Sequence, residues 1–191
     1  MKNYTIAEQF AVIALNAQDS LHESVAKNVA VVGIAAAQTV QTLLYEGENR
    51  DAAVFAQTLR EQLDGIKKMK RKERNALEKE FTDILKAEGI LKEIPNLLGC
   101  DMNYYTANVT MREYKSDSAL YQSLIEKIRA SALEQAEWPE YIAILLWLFR
   151  ESGCMHDIFS QEEQERGQIK LIQAAEEKSL YKAILEQEFH S

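Results

Sequence analysis

Apolar residues recur at a helical period along most of the chain. Ile6, Phe10, Ile13 and Ala17 are spaced as one face of a helix. Ahead of them, Thr5-Ile-Ala-Glu8 has the form of a capping box, whose hydroxyl and carboxylate each bond a free backbone N–H of the first turn. The pattern predicts a first helix over 6–16, followed by a polar loop over 16–24. A second helix is predicted as far as Tyr45, with Gly47 as its stop. Its middle, Val29-Ala-Val-Val-Gly-Ile-Ala-Ala-Ala37, is small and apolar on every side. Such a helix is expected to be buried and central, with Gly33 and the alanines letting its neighbours come close.

Val54, Phe55, Leu59, Leu63 and Ile66 predict a third helix, with a break expected near Gly65. The next stripe is Leu77, Phe81, Ile84 and Leu85, ending at Gly89. Run backward at 100° per residue, it would take in Lys70 and Arg74, so the helix either starts near Arg71 or holds these two at the core's edge. The period then changes. Ile90 to Ile94, a turn at Pro95-Asn96, and Leu97 to about Thr106 predict a small β-hairpin. Ser116 or Asp117 can cap a helix carrying Leu120, Leu124, Ile125 and Ile128. Pro139 suits the first position of a very apolar helix from Tyr141 to Phe149, stopped by Gly153. Ser160-Gln-Glu-Glu163 is a second capping box, opening a final helical region through Leu171, Ile172, Leu180, Ile184 and Leu185. With no low-complexity linker and no internal repeat, residues 1–191 read as one domain. The expected fold is mainly α: a helical bundle around a small-residue central helix, with one small β-hairpin.

Composition narrows the classes. Seven Gly and two Pro are 9 of 191 residues, under 5%, where average usage is about 12%. A β-sandwich or barrel spends far more of them on turns. At 47% apolar residues the chain can bury a core, which excludes collagen-like and disordered classes. The formal charge of −8 argues against indiscriminate coating of nucleic acid. The opening residues hold no apolar h-region of a signal peptide. The charge-free stretch from Asn28 to Tyr45 is interrupted by Gln38, Thr39, Gln41 and Thr42, and falls short of the 20 or so apolar residues a spanning helix takes. Two cysteines, Cys100 and Cys154, make no disulfide framework. A cytoplasmic location is expected.

Candidate chemistry is sparse. The histidines are His22, His156 and His190, and Cys154-Met-His156-Asp157 puts a thiol, an imidazole and a carboxylate close together. A Cys–His pair can form an activated nucleophile or contribute two metal ligands. Structural zinc takes four ligands, and the other cysteine is a lone residue in the expected hairpin, so a buried thiol beside a surface imidazole is the reading adopted. The chain has no nucleophile-elbow, zinc-helix or phosphate-loop motif. No catalytic residue, metal or cofactor is expected, and the protein reads as non-enzymatic.

The local anomaly is Lys67-Lys-Met-Lys-Arg-Lys-Glu-Arg74. Six basic residues and one acidic put +5 on eight positions and leave −13 on the other 183. Lys67, Lys68, Lys70, Arg71, Lys72 and Arg74 are therefore the candidate site for an anionic partner, a phosphoinositide head group or acidic leaflet. The alternative is a solvated helix start that only aids solubility. A helix leading through Gly-Ile-Leu into a hairpin also reads as a winged helix, with the basic run on nucleic-acid phosphates. Glu78, Glu80, Asp83 and Glu88 on that helix suit a major groove poorly, so a nucleic-acid partner is not expected. A protein–protein scaffold using the hairpin or Tyr104-Tyr105 is a third reading.

Several segments, in order, resemble the Golgi phosphoprotein 3-like family. Thr5-Ile-Ala-Glu-Gln-Phe-Ala-Val-Ile-Ala-Leu15 is similar to that family's capped first helix, and the small-residue helix ending Leu43-Leu-Tyr-Glu-Gly47 resembles its central one. Phe81-Thr-Asp-Ile-Leu-Lys-Ala-Glu-Gly-Ile-Leu91 looks like its helix before the hairpin. Tyr141-Ile-Ala-Ile-Leu-Leu-Trp-Leu148, with Gly153 and Asp157-Ile-Phe159, resembles its late apolar helix. The resemblance implies a mainly helical fold, peripheral membrane association through phosphatidylinositol 4-phosphate, and self-association through the hairpin into a homo-oligomer. The family's head-group residues fall near Lys27, Ala36 and Glu78-Lys79-Glu80, where none of them is matched, so phosphoinositide specificity does not follow.

Overall fold

The computed structural model describes residues 3–16, 23–45, 51–94, 113–134 and 140–189. Among them, helices α1 (Ile6–Ala14), α2 (Glu23–Tyr45), α3 (Ala52–Lys67) and α4 (Arg71–Ala87) precede strands β1 (Leu91–Ile94) and β2 (Glu113–Ser116). Helices α5 (Ser118–Glu134), α6 (Glu140–Ser152), α7 (Met155–Ile158), α8 (Gln161–Glu177) and α9 (Ser179–Leu185) follow. The fold is mainly α, with one antiparallel two-stranded sheet among the described residues.

Both capping boxes form. Thr5 Oγ1 accepts from the Glu8 N–H at 3.1 Å while Glu8 accepts from the Thr5 N–H, and Ser160 and Glu163 repeat the exchange at α8. Gly89 and Gly153 stop α4 and α6 in the left-handed region, with φ of 73° and 78°. There the N–H groups of Ile90 and Cys154 reach back to the carbonyls of Leu85 and Phe149, which no β-carbon-bearing residue arranges as cheaply. Asp117, not Ser116, caps α5, accepting from the Leu120 N–H at 2.9 Å. Ser116 is occupied elsewhere: its hydroxyl donates to the Val12 carbonyl and its N–H to Asn16 Oδ1, so β2 is tied to the end of α1. Helix α1 ends at Ala14, two residues before the expected limit, and Asn16 instead forms a backbone bridge with Tyr114.

Helix α2 packs on α1, α3, α4 and α6, and its Ala30, Ile34, Ala36, Ala37 and Val40 are fully buried. Gly33 is required there by a close approach, since a β-carbon would lie 2.5 Å from a ring carbon of Phe10. Helix α6 shares the centre. All eight residues Ile142 to Phe149 are buried, and α6 touches α1, α2, α5, α7, α8 and α9. Contrary to the expectation from its interrupting Gln and Thr residues, the 18-residue stretch Asn28–Tyr45 is by length and composition long and apolar enough to cross a membrane; half of it is buried inside the bundle.

Two expectations are corrected. Helix α3 runs unbroken through Gly65, because an exposed helical glycine costs only about 1 kcal/mol and Leu59, Leu63 and Ile66 bury the opposite face. Among the described residues the partner of β1 is Glu113–Ser116, in register Leu91 with Ser116 and Ile94 with Glu113, and not the segment expected to pair with it. Residues 95–112, which include the expected second strand, Cys100 and Tyr104-Tyr105, lie outside the described residues, as do His22, Gly47, Pro139 and His190.

Candidate anion-binding site

The six basic residues gather at the joint between α3 and α4. Lys67 is the last residue of α3 and Lys68 its C-cap. Met69 and Lys70 cross the joint, and Arg71, Lys72 and Arg74 occupy the first turn of α4. Lys70 has an extended backbone and serves as the N-cap, so it leaves the apolar stripe that a longer helix would have imposed on it. Its N–H donates to Glu73 Oε2 at 2.7 Å. An ammonium cannot accept the reciprocal bond, so only half a capping box is made here.

The charges sit differently on the two helices. Lys67 and Lys68 lie at the negative end of the α3 dipole, which favours them, whereas Arg71, Lys72 and Arg74 lie at the positive end of α4, which does not. Lys68, Lys70, Arg71 and Lys72 are exposed, while Arg74 is half-buried at the edge of the core. Lys67 faces Asp64 at 3.9 Å with its side chain only 28% exposed. The joint combines cationic heads with a helix N-terminus, both of which attract anions.

Helix α4 is divided. Arg71, Lys72, Glu73, Asn75 and Ala76 are exposed, and Leu77 is only half-buried. From Glu78 onward the helix is held firmly. Glu78 is buried and accepts from the Tyr114 hydroxyl at 3.0 Å, Thr82 and Leu85 are buried, and Lys86 pairs with Glu93 at 2.7 Å. The Lys86 ammonium also sits 5.6 Å above the Tyr114 ring. Sequence reasoning missed the Glu78–Tyr114 pair, because 36 residues separate the partners and only a buried carboxylate on an otherwise polar face could have hinted at it.

Burial, reinforced by the Glu78 and Glu93 charges and opposed by a Thr82 hydrogen bond, pushes the Tyr114 hydroxyl up to about 12. A folded-state value above the ordinary 10 favours the protonated form, so its contribution is complete below pH 10 and is lost as pH rises through 12. Urea unfolding across this range is expected to lose about 2–3 kcal/mol in the natural protein. Tyr114→Phe should be less stable at pH 7 and should lack that share of the alkaline decline. Parallel pH profiles for the two proteins would contradict the assignment.

Cys154 is 6% exposed, and burial pushes its thiol up despite the Ser152 hydroxyl 3.4 Å away. A raised value is the opposite of what an activated nucleophile needs. His156 is exposed and pairs with Asp157 at 3.1 Å. Among the described residues no cluster of three metal-ligating side chains occurs. A groove of about 790 Å³ is lined by Leu171, Ile172, Ala175 and Leu185, with Glu176 and Lys182 among its charged residues, and includes none of the six basic residues. The basic joint is an exposed surface, separate from that groove.

The class defined by these features is a helical bundle with an exposed cationic joint. A scan against protein-family models found no match, and searches of curated proteins and of solved structures found none either.

Proposed function

We propose that the protein is a non-enzymatic binding protein that docks peripherally on an anionic membrane surface through Lys67, Lys68, Lys70, Arg71, Lys72 and Arg74. The resemblance to the Golgi phosphoprotein 3-like family suggests this role. The observation that carries it is charge placement: +5 is concentrated at one exposed helix joint of a chain whose other 183 residues carry −13. A side chain near an acidic leaflet contributes about 1 kcal/mol per Lys or Arg, so a cluster binds where scattered charges would not. The joint is open and not enclosed, which suits a field of acidic lipid head groups better than one head group held in a pocket. The acidic remainder keeps the body off the leaflet and so orients the docked protein.

Sedimentation with vesicles tests the reading. Vesicles of phosphatidylcholine with phosphatidylserine should carry the protein down at low salt and release it at high salt, and pure phosphatidylcholine should leave it in solution. Equal, weak recruitment by both would end the proposal. Retardation of random-sequence DNA at low salt without vesicle binding would move the site to nucleic acid.

A further inference from the structure

The groove beside α8 has a floor and a rim of different character. Leu171, Ile172, Ala175 and Leu185 form the floor, where Ile172 is left 59% exposed. The rim carries Glu176, Glu177 and Glu186, whose carboxylates have no partner among the described residues. Arg150 is engaged by Glu151 at 2.9 Å and by the Leu185 carbonyl, so among the lining residues Lys182 stands alone against three acids. An apolar floor inside an acidic rim suits an occupant that is apolar at its tip and cationic on either side.

The joint between α3 and α4 has that composition. Met69 lies between Lys68 and Lys70, half-buried where they are exposed. The corner is held by backbone bonds, from the Lys68 N–H to the Asp64 carbonyl at 3.3 Å and from the Met69 N–H to the Ile66 carbonyl at 3.1 Å. We propose that the joint of one molecule docks in the α8–α9 groove of a second copy, with Met69 on Ile172 and Leu185 and with Lys68 and Lys70 against Glu176, Glu177 and Glu186. An unbranched thioether fills irregular apolar gaps, and the lysine stems extend the apolar contact while their heads reach the rim. Charge selects the joint over the rest of the partner's surface, because the other 183 residues carry −13 and are repelled by the same rim. The net charge of −8 on each copy opposes approach at long range, but that repulsion is screened beyond about 8 Å at physiological salt, which leaves the contact pairs in force. Joint and groove are different surfaces, so the contact is head to tail and either extends into a chain or closes into a ring. A joint seated in a groove cannot also meet a leaflet, so assembly competes with the docking proposed above and does not depend on it.

Light scattering on the full chain tests this, taken up to about 1 mM protein because one corner in one groove is a small and weak contact. In about 0.15 M salt the mean mass should rise about twofold or more with concentration, and in about 1 M salt it should return to that of a monomer. Lys68→Glu with Lys70→Glu should stay monomeric, and so should Glu176→Lys with Glu177→Lys. An equimolar mixture of the two variants should associate again, since each reversed surface then meets an opposite one, and that recovery shows that both are folded. Natural protein that stays monomeric overturns the inference. Either variant associating alone as the natural protein does places self-association elsewhere and also overturns it, as does a mixture that stays monomeric. Vesicle sedimentation reads the docking role separately. Recruitment without self-association overturns this inference alone, and self-association without recruitment overturns docking alone.

Discussion

Replacing Lys68, Lys70, Arg71 and Lys72 together by glutamate is expected to abolish recruitment to acidic vesicles at every salt concentration. Four attractions of about 1 kcal/mol each become repulsions of similar size, a swing on the order of 8 kcal/mol. Two basic residues would remain, one of them facing Asp64. Loss of binding here is not loss of fold. All four side chains are exposed; Arg71→Glu and Lys72→Glu put acids where the α4 dipole favours them while Lys68→Glu puts one where the α3 dipole does not, so the effects offset and thermal stability should change by no more than about 1–2 kcal/mol. Single alanine substitutions should separate the residues. Lys68→Ala, Lys70→Ala and Lys72→Ala should each lower partitioning about fivefold. Lys67→Ala should do least, because its side chain is 28% exposed and faces Asp64. A quadruple variant that still sediments with acidic vesicles would remove the joint from membrane docking.

How much of this was legible depends on distance along the chain. Thr5 with Glu8, Ser160 with Glu163, and Gly89 and Gly153 act within one helical turn, and each does in the structure what its pattern implies. The start of α4 at Arg71 was one of two alternatives, and a single backbone bond to Glu73 decides it. Long-range choices were hidden. The pairing of β1 with Glu113–Ser116, reinforced where Tyr114 bonds Glu78 and Ser116 bonds α1, joins segments that no local pattern links. The basic run was visible as charge, and its exposure follows from the absence of a strongly apolar residue between Arg71 and Ala76. The anchoring of the rest of α4 was not visible, since Glu78 and Thr82 are buried polar residues on a helix whose pattern calls them surface. Likewise the small residues of α2 announce close packing, while the centrality of α6 depends on which helices surround it.

Trp147→Ala should cause the largest loss of stability of any single change, about 3–5 kcal/mol. Trp147 is among the largest fully buried side chains and lies in the middle of α6. Its indole N–H donates to the Gln187 carbonyl at 3.0 Å, and Phe189 packs edge-on against its ring at 5.3 Å. Phe189 in turn lies 3.5 Å from where a β-carbon on Gly33 would stand, so α2, α6 and the end of the chain meet at this point. The cavity cannot be filled by relaxation. Phe10 already occupies the space beside Gly33, and its own ring packs on Phe149 at 5.7 Å. Natural domains unfold at a cost of about 5–15 kcal/mol, so the variant would retain a small margin or none. Trp147→Phe isolates the hydrogen bond: it keeps most of the ring area, leaves the Gln187 carbonyl without its donor, and should cost about 1–3 kcal/mol. In both variants the Gln187 carbonyl loses its donor on α6, and in Trp147→Ala Phe189 also loses the ring it packs on, so residues 186–189 should be cut by limited proteolysis sooner in Trp147→Ala than in Trp147→Phe. Urea midpoints ordered natural protein, Trp147→Phe, Trp147→Ala would support this arrangement. A Trp147→Ala midpoint within error of the natural protein would mean that α6 does not sit at the centre of the bundle.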